Sequence, residues 1–553
     1  MSNASGIDAE GPWFDGVELL KEKEISAVNV KEAKAKKIAI VGAGMAGLMT
    51  WLCLNSSGFH NLEILEAGQR LGGRVHTAYL EGGPSDYQYQ EMGPMRFPET
   101  IQLAGSNETL PINDMKLVFQ LAEVMNQLND GHPNFTVKFI PWIQNSPNGL
   151  FYYNGIKKSD GLPPTVAETT SNPNLTAQVP VDPEVAKISD QITEITCNPT
   201  TMAAAAKNQF TAHKAWLDSG LGGLGGDDWS EFAYFHNYLK FSLNATDQAL
   251  RGGPYGGIEG LWDAIYDCEY FGATAWRTID GGLNQLPNSF YPHVGPITSM
   301  NRAIAKAEFL PKSEQVQLSW KDNYTDTTFQ NATYDYVMVA APFSKVRSWR
   351  FPNTVFDPTL KNAIASMTYT SVALQFSTRF WEHYEKPIIG SCSTSSDIPG
   401  IGSICYPSYK PNSTGPGVML ASYTSGDFGL RFASLTELEH VQYVLNAMIE
   451  IHGEVARQQY TGKYNRRCWV LDPLESVSWA SPEIGMHKLY IPAYFRTENH
   501  MIFIGEHTSY THAWIASALE SGIRGSVQLL LELGLVDEAK AITEKFMARW
   551  ISV

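Results

Sequence analysis

Three glycines and one acid near the start of the sequence have the spacing of a phosphate- and ribose-binding unit. Gly42, Gly44 and Gly47 follow the apolar run Ile38–Val41, and Glu66 ends a second apolar run. Glycines at this spacing let a backbone turn approach a pyrophosphate at the positive end of the following helix. A carboxylate at the end of the next strand can accept hydrogen bonds from a ribose. The spacing predicts dinucleotide binding; the alternative is a structural glycine turn in an unrelated βαβ unit.

A second candidate for chemistry is an arginine in a constrained turn. Arg96 ends the string Gly93-Pro94-Met95-Arg96, shortly after the nucleotide-binding unit. A guanidinium suits bidentate binding of a planar carboxylate. We therefore expect Arg96 to bind the carboxylate of a small molecule, and the alternative is an ion pair with an internal acid.

The elements that would carry these residues alternate between strands and helices, which is typical of the α/β class (α+β overall). The apolar runs Ile38–Val41, Leu62–Leu65, Asp335–Ala341 and Met501–Glu506 lie far apart but all predict buried strands. The Rossmann-like nucleotide-binding domain is therefore expected to be discontinuous. We predict this domain from residues 36–72, 280–345 and 475–535, a mixed-sheet substrate-binding domain from 1–35, 73–135 and 346–474, and a helical domain from 136–279.

Two helices and one strand are also predicted outside the nucleotide-binding strands. Hydrophobic periodicity indicates helices at Ala186–Leu217 and Trp229–Leu250. A strand is predicted at Tyr324–Phe329.

Charge and composition exclude some classes of protein. The 553 residues carry a net charge of −16, which disfavours nucleic acid as a partner because phosphates repel such a surface. No apolar run of about 18 residues occurs, so we expect no membrane span. The six cysteines form no CxxC pair and no metal-site spacing, and one or two disulfide bridges are left open.

Two features bear on cellular location. The first residues lack the basic and apolar regions of a signal peptide. Nine Asn-x-Ser/Thr triplets occur, more than chance would give, at Asn3, Asn55, Asn107, Asn134, Asn174, Asn244, Asn323, Asn331 and Asn412. Together they favour a secreted protein, whose signal or propeptide is missing from this chain, over a cytoplasmic one.

The glycine-rich start has a second part, Gly72-Gly73-Arg74. With it, the pattern GxGxxG…E…GGR resembles the FAD-binding start of the amine-oxidase-like flavoproteins. The resemblance implies that these glycines and Arg74 lie along the FAD pyrophosphate. It further implies noncovalent FAD, because the family's attachment cysteine near the C-terminal block is absent. The FAD-binding residues implied are Gly42, Gly44, Met45, Ala46, Gly47, Glu66, Ala67, Gly72, Gly73, Arg74, Gly93, Pro94, Met95, Arg96, Ile304, Trp479, Gly505, Glu506, Trp514 and Ile515.

The string Gly-Pro-Met-Arg closely resembles the flavin-dependent L-amino-acid oxidases of that family. In them this arginine, here Arg96, holds the α-carboxylate of the substrate. Tyr406, in Ile404-Cys405-Tyr406-Pro407, is matched to the tyrosine that hydrogen-bonds the same carboxylate and forms one aromatic wall. A core tyrosine is the alternative.

The C-terminal segment from Gly505 to Gly522 is similar to the family's GE…HGWI…SG block. The resemblance implies that the backbone of Ala513 contacts the substrate amine and that Trp514 is the second aromatic wall. Substrate and products would be an L-amino acid and O2, then a 2-oxo acid, ammonia and H2O2. A homo-oligomer, dimer or tetramer, is implied too.

The sequence also departs from the family pattern. Many members carry a lysine, water-linked to the flavin, where Met367–Phe376 has none and Ser371 stands nearby. An amino-acid 2-monooxygenase, a poorly O2-reactive dehydrogenase, an amine or polyamine oxidase and a non-catalytic flavoprotein therefore remain alternatives.

Side-chain preference is suggested only by acids in the helical region. One fungal subgroup acts on L-lysine, and acids near the substrate entrance would suit such a basic side chain. The alternative is that each acid lies on a solvated helix face. The candidates are Asp227, Asp228, Glu231, Glu259, Asp263, Asp267 and Glu269.

Overall fold

The computed structural model describes residues 29–103, 105–176, 181–250, 260–322, 325–352, 354–363, 370–424 and 426–546. The chain mixes helices with five sheets, which confirms the predicted α/β class. Residues 1–28, most of the segment 1–35 predicted for the substrate-binding domain, lie outside the described residues. The described part begins just before a short helix at Val30–Lys34.

A five-stranded parallel sheet forms the centre of the nucleotide-binding region. Its strands come from the three segments predicted for that domain, in the spatial order Thr298–Ser299, Leu62–Leu65, Ile38–Val41, Tyr336–Val339 and Met501–Phe503. Ile38 aligns with Leu62 on one side and with Tyr336 on the other.

Both faces of this sheet are covered, as parallel sheets require. Side chains alternate along each strand, so Ile38 and Ile40 join one apolar core while Ala39 and Val41 join another. The first core contains the helices Met45–Ser56 and Ile515–Glu532. The second is closed by an antiparallel sheet of Ile304–Leu310, Gln315–Trp320 and Gln330–Tyr334. Tyr324, the first residue of the strand predicted at Tyr324–Phe329, lies outside the described residues; the rest of that prediction is wrong, because residues 325–329 form no strand and the pairing begins at Gln330.

Three further sheets lie on the substrate side. The largest has the strand order Tyr460–Arg467, Thr370–Phe376, Gly417–Thr424, Ser403–Cys405, Thr394–Ser396 and Phe151–Tyr152. A four-stranded sheet has the order Thr109–Pro111, Phe97–Gln102, Ala275–Ile279 and Phe139–Pro141. Thr77–Tyr79 pairs with Tyr89–Glu91.

The helical region contains shorter helices than the sequence predicted. The expected helix Ala186–Leu217 is three helices, Pro183–Thr196, Pro199–Lys207 and Gln209–Gly223. Each begins at a capping side chain, Asp182, Asn198 or Asn208, which accepts hydrogen bonds from the first turn. The second predicted helix is divided into a π-helix, Ala233–Tyr238, and an α-helix, Leu243–Leu250.

The remaining α-helices connect or flank the sheets. They are Asn113–Leu128, Val166–Ser171, Trp262–Phe271, Gln285–Asn288, Tyr291–Val294, Phe343–Val346, Pro358–Ala363, Gly426–Ala433, Glu437–His452, Glu454–Gln459, Met486–Tyr494 and Val536–Phe546. None of the helices in the described ranges combines the length and apolar character that crossing a bilayer requires.

Two disulfides link elements of the fold. Cys197–Cys268 joins the end of the Pro183–Thr196 helix to the Trp262–Phe271 helix. Cys392–Cys405 closes the hairpin of Thr394–Ser396 and Ser403–Cys405.

Two glycines of the first turn have different physical roles. A Cβ at Gly47 would collide with the carbonyl oxygen of Gly42, so glycine lets the helix start against the turn. A Cβ at Gly44 would have no described atom within 4 Å, and the backbone there has φ −72°. Gly47 is thus required by the fold, whereas Gly44 faces open space.

We predict that Gly47→Ala destabilises the protein by about 1–3 kcal/mol, because the added methyl forces the helix away from the turn. Gly44→Ala should leave the unfolding temperature of the flavin-free protein unchanged and weaken flavin retention. Differential scanning fluorimetry of flavin-free protein and the ratio of flavin to protein absorbance measure the two effects. Equal unfolding temperatures for both variants would contradict the assignment.

Several histidines are buried as neutral rings. Burial is the main cause that lowers the pKa to about 3 for His76, His452, His507 and His512, and to about 4 for His440, where the charge of Arg466 also contributes. Such a ring stays neutral in the folded chain while the unfolded chain takes up a proton near pH 6.5, so its stability contribution falls as pH drops from about 6.5 to 4. Buried carboxyls have the opposite pH dependence. Burial raises the pKa of Glu91 and of Glu231 to about 7, so their contribution to stability falls as pH rises.

This linkage predicts a site-specific effect of His440→Asn. Asn can still accept the hydrogen bond that Arg466 Nε donates to His440 Nδ1 at 3.1 Å, but it does not titrate. Any stability deficit of the variant at pH 7.5 should therefore shrink as pH falls to 4.5. Unfolding temperatures across this range, with His132→Asn at an exposed site as control, measure it. A deficit that is independent of pH would refute the prediction.

Candidate active site

A cavity of about 1190 Å³ opens at the carboxyl ends of the central parallel strands. Val41, Leu65 and Ala340, at the ends of three neighbouring strands, form part of its wall. Ligands of open α/β sheets bind at this edge, outside the carboxyl ends of the strands.

Most of the residues predicted from the sequence line this one cavity. They are Gly42, Gly44, Met45, Ala46, Glu66, Ala67, Gly72, Gly73, Arg74, Pro94, Ile304, Trp479, Gly505, Glu506, Ala513, Trp514 and Ile515. Five predicted residues lie behind or beside the wall instead: Gly47, Gly93, Met95, Arg96 and Tyr406. Gly93 resembles Gly47 in its role, because a Cβ there would collide with the carbonyl oxygen of Arg74.

Glu66 is held in a fixed orientation at the cavity. Its two carboxylate oxygens accept hydrogen bonds from backbone N–H groups, Oε2 from Ala43 at 2.7 Å and Oε1 from Gly68 at 2.6 Å. Each carboxylate oxygen has a further lone pair, so the side chain can still accept hydroxyl donors from the cavity.

Arg74 is at the centre of a buried charge cluster. Its Nη1 donates to Glu506 Oε1 at 2.7 Å and to the Ser478 carbonyl at 3.1 Å, and its Nε lies 3.7 Å from Glu475 Oε2. Burial opposes the charged form, but the two carboxylates outweigh it and raise the pKa of Arg74. In turn, the positive charge of Arg74 holds the pKa of Glu506 below its ordinary value despite its burial. Burial prevails at Glu475, whose pKa is raised.

The backbone before Trp514 has an unusual conformation. Ala513 has φ +68°, a region that favours glycine, and its N–H donates to Glu506 Oε2 at 3.2 Å. Trp514 follows as the N-cap of the helix Ile515–Glu532. Its ring packs edge-on against Tyr270 with centroids 4.9 Å apart and lies 5.8 Å from Phe271. The helical region thus supplies the aromatic partners of Trp514.

Arg96 lies in an aromatic chamber beside this wall. Its guanidinium carbon is within 6 Å of three ring centroids, those of Trp142, Phe271 and Trp276. Nη1 donates to Met95 Sδ at 2.8 Å and lies 3.4 Å from Cys392 Sγ, while the buried Nε has no hydrogen-bond partner among the described residues. Burial lowers the pKa of Arg96 to about 10, so the side chain is still a cation at neutral pH.

Two polar residues face Arg96 across the chamber. Tyr423, on the strand Gly417–Thr424, has its pKa raised by burial and lowered in part by the charge of Arg96. Asp267, on the helix Trp262–Phe271, has its pKa raised to about 7 by burial, opposed by a hydrogen bond from the Trp514 side chain and by Arg96. Arg96 therefore has a hydroxyl and an acid as electrostatic neighbours, of which Tyr423 is also 37% exposed.

Tyr406 is not brought to this chamber. It is fully buried, and its hydroxyl hydrogen-bonds His452 Nε2 at 3.1 Å while its ring packs against Trp381. Neighbouring side chains on an extended segment point to opposite sides, so Cys405 faces the Arg96 side and Tyr406 faces the opposite core. The tyrosine beside Arg96 is Tyr423, which lies 17 positions further along the chain.

The acids predicted near the entrance have separate environments. Asp227 accepts from the Lys488 backbone, Asp228 pairs with the Lys488 ammonium, and Glu269 is buried against Gln209. Glu259 lies outside the described residues, as do the first three residues, 367–369, of the stretch Met367–Phe376, in which a lysine was expected. The backbone of Ser371 pairs with that of Tyr423.

Glu475, Tyr423 and the pair His487 and His512 are site features that sequence reasoning missed. Glu475 stands four residues before Trp479, which the sequence did indicate, so the acid lies next to a recognisable position. No motif in the sequence indicates Tyr423, His487 or His512. The described residues hold no group of three or more His, Cys, Asp or Glu placed to bind a metal ion.

Comparison with known proteins agrees with this geometry. A family model of flavin containing amine oxidoreductases matches residues 45–530. Over its whole length the chain is 57% identical to an L-amino-acid oxidase of Neurospora crassa, of which it covers 80%. It is 26% identical to an L-amino-acid oxidase of Siganus canaliculatus, over 89% of this chain and 85% of that one.

The fold is also shared with solved structures. Cyclohexylamine oxidase from Brevibacterium oxydans superposes with a TM-score of 0.60 at 13% identity, covering 92% of this chain and 99% of that one. A putrescine oxidase bound to putrescine gives a TM-score of 0.62 at 13% identity, covering 90% and 99%. At this identity the likeness concerns the fold alone. Because the family model matches residues 45–530, most of the chain, the chain belongs to the flavin-containing amine oxidoreductases.

Proposed function

We propose that the chain is an FAD-dependent L-amino-acid oxidase that converts an L-amino acid and O2 to a 2-oxo acid, ammonia and H2O2. The observation that carries the proposal is Arg96, a partly buried cation whose buried Nε has no partner among the described residues, in an aromatic chamber beside Trp514. A substrate carboxylate would satisfy that donor and balance that charge. The similarity to L-amino-acid oxidases of two organisms supports the same activity.

The cavity residues fit FAD. The N-terminus of the helix Met45–Ser56 opens into the cavity at Gly44, where no Cβ obstructs a pyrophosphate, and Glu66 is oriented to accept from a ribose. Noncovalent binding is favoured because the free cysteines, Cys53 and Cys468, are buried away from the cavity lining. When bound, FAD would accept the hydride from the substrate and pass the electrons to O2.

The chain's own residues would position the substrate. Arg96 would bind the α-carboxylate with Tyr423 as the hydroxyl partner, in place of Tyr406. Trp514 and Tyr270 would form the aromatic side of the substrate site, with the backbone of Ala513 at the amine. Burial among aromatic rings favours the neutral amine that loss of hydride from Cα requires. Fixing the substrate by its carboxylate would account for much of the rate gain.

A basic side-chain preference, L-lysine for example, belongs to the same proposal. Of the acids considered from the sequence, Asp267 lies next to Arg96 and Trp514. Once the substrate carboxylate neutralises Arg96, Asp267 would be the anion left to meet a side-chain ammonium.

We also propose that the protein is secreted. The sequon asparagines within the described ranges are all exposed: Asn55, Asn107, Asn134, Asn174, Asn244, Asn331 and Asn412. Two disulfides suit an oxidising compartment. A homo-oligomer, dimer or tetramer, is the expected assembly, and light scattering after size-exclusion chromatography measures it.

The activity is tested by anaerobic titration of the flavin-loaded protein with L- and D-amino acids, followed by admission of air. L-isomers alone should bleach the flavin, and air should restore the colour with formation of H2O2 and a 2-oxo acid. Arg96→Met should raise KM at least about 100-fold, because a charge-assisted bidentate contact contributes roughly 3 kcal/mol.

Each other outcome points to one alternative. An amide product would identify a 2-monooxygenase, and bleaching by amines without a carboxylate an amine or polyamine oxidase. Bleaching without recovery in air would identify a dehydrogenase. No bleaching by any amino acid would refute the proposal and leave a non-catalytic flavoprotein.

We predict that Asp267→Asn lowers kcat/KM for L-lysine at least about tenfold relative to L-leucine, since an interaction of roughly 1.4 kcal/mol or more with the ammonium is lost. In the unsubstituted protein the lysine-to-leucine ratio should rise as pH increases through about 7, because Asp267 ionises over that range. Asp228→Asn, at an exposed acid paired with Lys488, is the control. An unchanged ratio in Asp267→Asn would exclude this role.

A further inference from the structure

One of the two disulfides lies directly beside the arginine to which the proposed function assigns the substrate carboxylate. Arg96 Nη1 is 3.4 Å from Sγ of Cys392, which is bonded to Cys405. We propose that Cys392–Cys405 is a redox modification site: reduction by a dithiol places a Cys392 thiolate against Arg96, and this anion excludes the substrate carboxylate. The inference rests on the proposed function, in which Arg96 holds that carboxylate.

The oxidised bridge leaves the guanidinium available to an external anion. Nη1 contacts two uncharged sulfur atoms, those of Met95 and Cys392, and the buried Nε has no hydrogen-bond partner among the described residues. Thioether and disulfide sulfurs are weak acceptors. The titratable groups that face this charge are Asp267, whose pKa burial raises to about 7, and the Tyr423 hydroxyl, whose pKa burial also raises.

Reduction changes the charge at this contact. The pKa of a free cysteine thiol is about 8.5, and a neighbouring guanidinium lowers it because the cation stabilises the thiolate. A Cys392 thiolate at the present position of the sulfur would accept hydrogen bonds from Arg96 and neutralise its charge. The substrate carboxylate needs the same donors, so it would bind only after the thiolate is protonated or displaced.

Backbone hydrogen bonds hold the two cysteine segments together independently of the bridge. The N–H of Tyr406 donates to the carbonyl of Ser391 at 2.9 Å, so the residues next to both cysteines are paired. Cys405 also aligns with Leu420 in the six-stranded sheet. Reduction would therefore leave the Cys392 sulfur beside the guanidinium rather than release the hairpin.

One sulfur of the bridge is open to a small dithiol. Cys392 is half-buried, whereas Cys405 is fully buried. Two side chains that flank Arg96, Phe271 and Tyr423, are exposed, so solvent reaches this side of the chamber. An attacking thiolate would therefore meet the Cys392 sulfur first.

The exchange balances in atoms and electrons. One thiolate of the dithiol attacks Cys392 Sγ, forms a mixed disulfide and expels the Cys405 thiolate, which takes up a proton. The second thiol of the dithiol loses its proton, attacks the first and expels the Cys392 thiolate. The dithiol leaves as a cyclic disulfide, oxidised by two electrons, and the bridge is reduced by two. Arg96 favours the last step because it lies against the sulfur that is expelled.

The proposed activity supplies the reagent that reverses this modification. The Cys392 thiolate attacks H2O2 and, with uptake of one proton, gives a sulfenic acid and one water. The Cys405 thiol then condenses with the sulfenic acid, which restores the bridge and releases a second water. The two cysteines lose two electrons and H2O2 gains them. A reduced oxidase would therefore be reactivated by its own product.

The two free cysteines are not suited to this chemistry. Burial raises the pKa of Cys53 to about 12. Burial also raises the pKa of Cys468, although the charge of Arg466 opposes that shift. Both thiols therefore stay protonated and buried at neutral pH, and thiolate reagents should react with Cys392 in preference to them.

The test compares flavin-loaded Cys405→Ala, which leaves a thiol at Cys392, with the matched double variant Cys392→Ala/Cys405→Ala, which has neither bridge nor thiol. Catalase is present to remove H2O2. At about pH 8.5, Cys405→Ala should raise KM at least about tenfold with kcat nearly unchanged, because the thiolate competes only with binding. The double variant should keep KM close to that of the unsubstituted protein. Cys405→Ser is measured in parallel, so that a folding defect of one variant cannot mask the result.

The pH dependence separates a thiolate from a structural effect. The ratio of KM in Cys405→Ala to KM in the double variant should fall as pH decreases toward 6, because the thiol takes up a proton. Asp267, Tyr423 and the substrate amine titrate in both variants, so the ratio removes their contribution.

Dithiol treatment tests the switch itself. Reduction of the unsubstituted protein should raise KM as Cys405→Ala does. The double variant, which retains the bridge Cys197–Cys268, should not respond. Without catalase, the reduced protein should show a lag that ends as H2O2 accumulates.

A second readout needs neither flavin nor substrate. In flavin-free Cys405→Ala, the rate of Cys392 alkylation by iodoacetamide against pH should give a thiol pKa below the ordinary value of about 8.5, and adding Arg96→Met should raise it. An ordinary pKa in Cys405→Ala, or an equal rise in KM in the double variant, would overturn the proposal. Failure of every amino acid to bleach the unsubstituted protein would instead refute the proposed function, and the alkylation profile would still decide whether Arg96 stabilises the thiolate.

Discussion

The buried contact between Arg74 and the Glu506 carboxylate fixes the geometry of the whole cavity. It joins the first segment of the nucleotide-binding region to the last, and the same carboxylate accepts the N–H groups of Ala480 and Ala513. A buried ion pair has a large desolvation cost, which is offset here because the remaining lone pairs of the carboxylate find backbone donors. Since Ala480 follows Trp479 and Ala513 precedes Trp514, one carboxylate sets the position of both tryptophans in the wall.

The Arg96 chamber depends on pairing between segments that are remote in sequence. Phe97 pairs with Arg277, which brings the turn of Arg96 against the strand that ends the helical region. The disulfide at Cys268 holds the helix that carries Asp267, Tyr270 and Phe271. In the proposed function, the helical region would therefore determine specificity, whereas the central parallel sheet would hold the cofactor.

Local patterns made much of the cofactor cavity predictable. The glycine turn and Glu66 belong to one strand–turn–helix–strand unit, in which spacing alone fixes the geometry. Four of the five strands of the central sheet were predictable as well, since they are buried apolar runs. Tyr406 shows where such reasoning fails: a single tyrosine was matched without the strand register that decides which side it faces. Asp267, Tyr423 and His487 meet their partners only through tertiary packing, and no spacing in the sequence reports those contacts.

The order of strands in the central sheet has a consequence for how the protein is made. Its edge strand Met501–Phe503 pairs with Tyr336–Val339, and the helix Ile515–Glu532 covers the first βαβ unit. Glu506 and Trp514 thus come from the last tenth of the chain, while Gly42 and Glu66 come from the first eighth. Loop closure over such separations makes folding slow. Glu506 and Trp514 must both have left the ribosome before the proposed flavin-binding site can exist, so FAD would be captured only after that part of the chain has been synthesised.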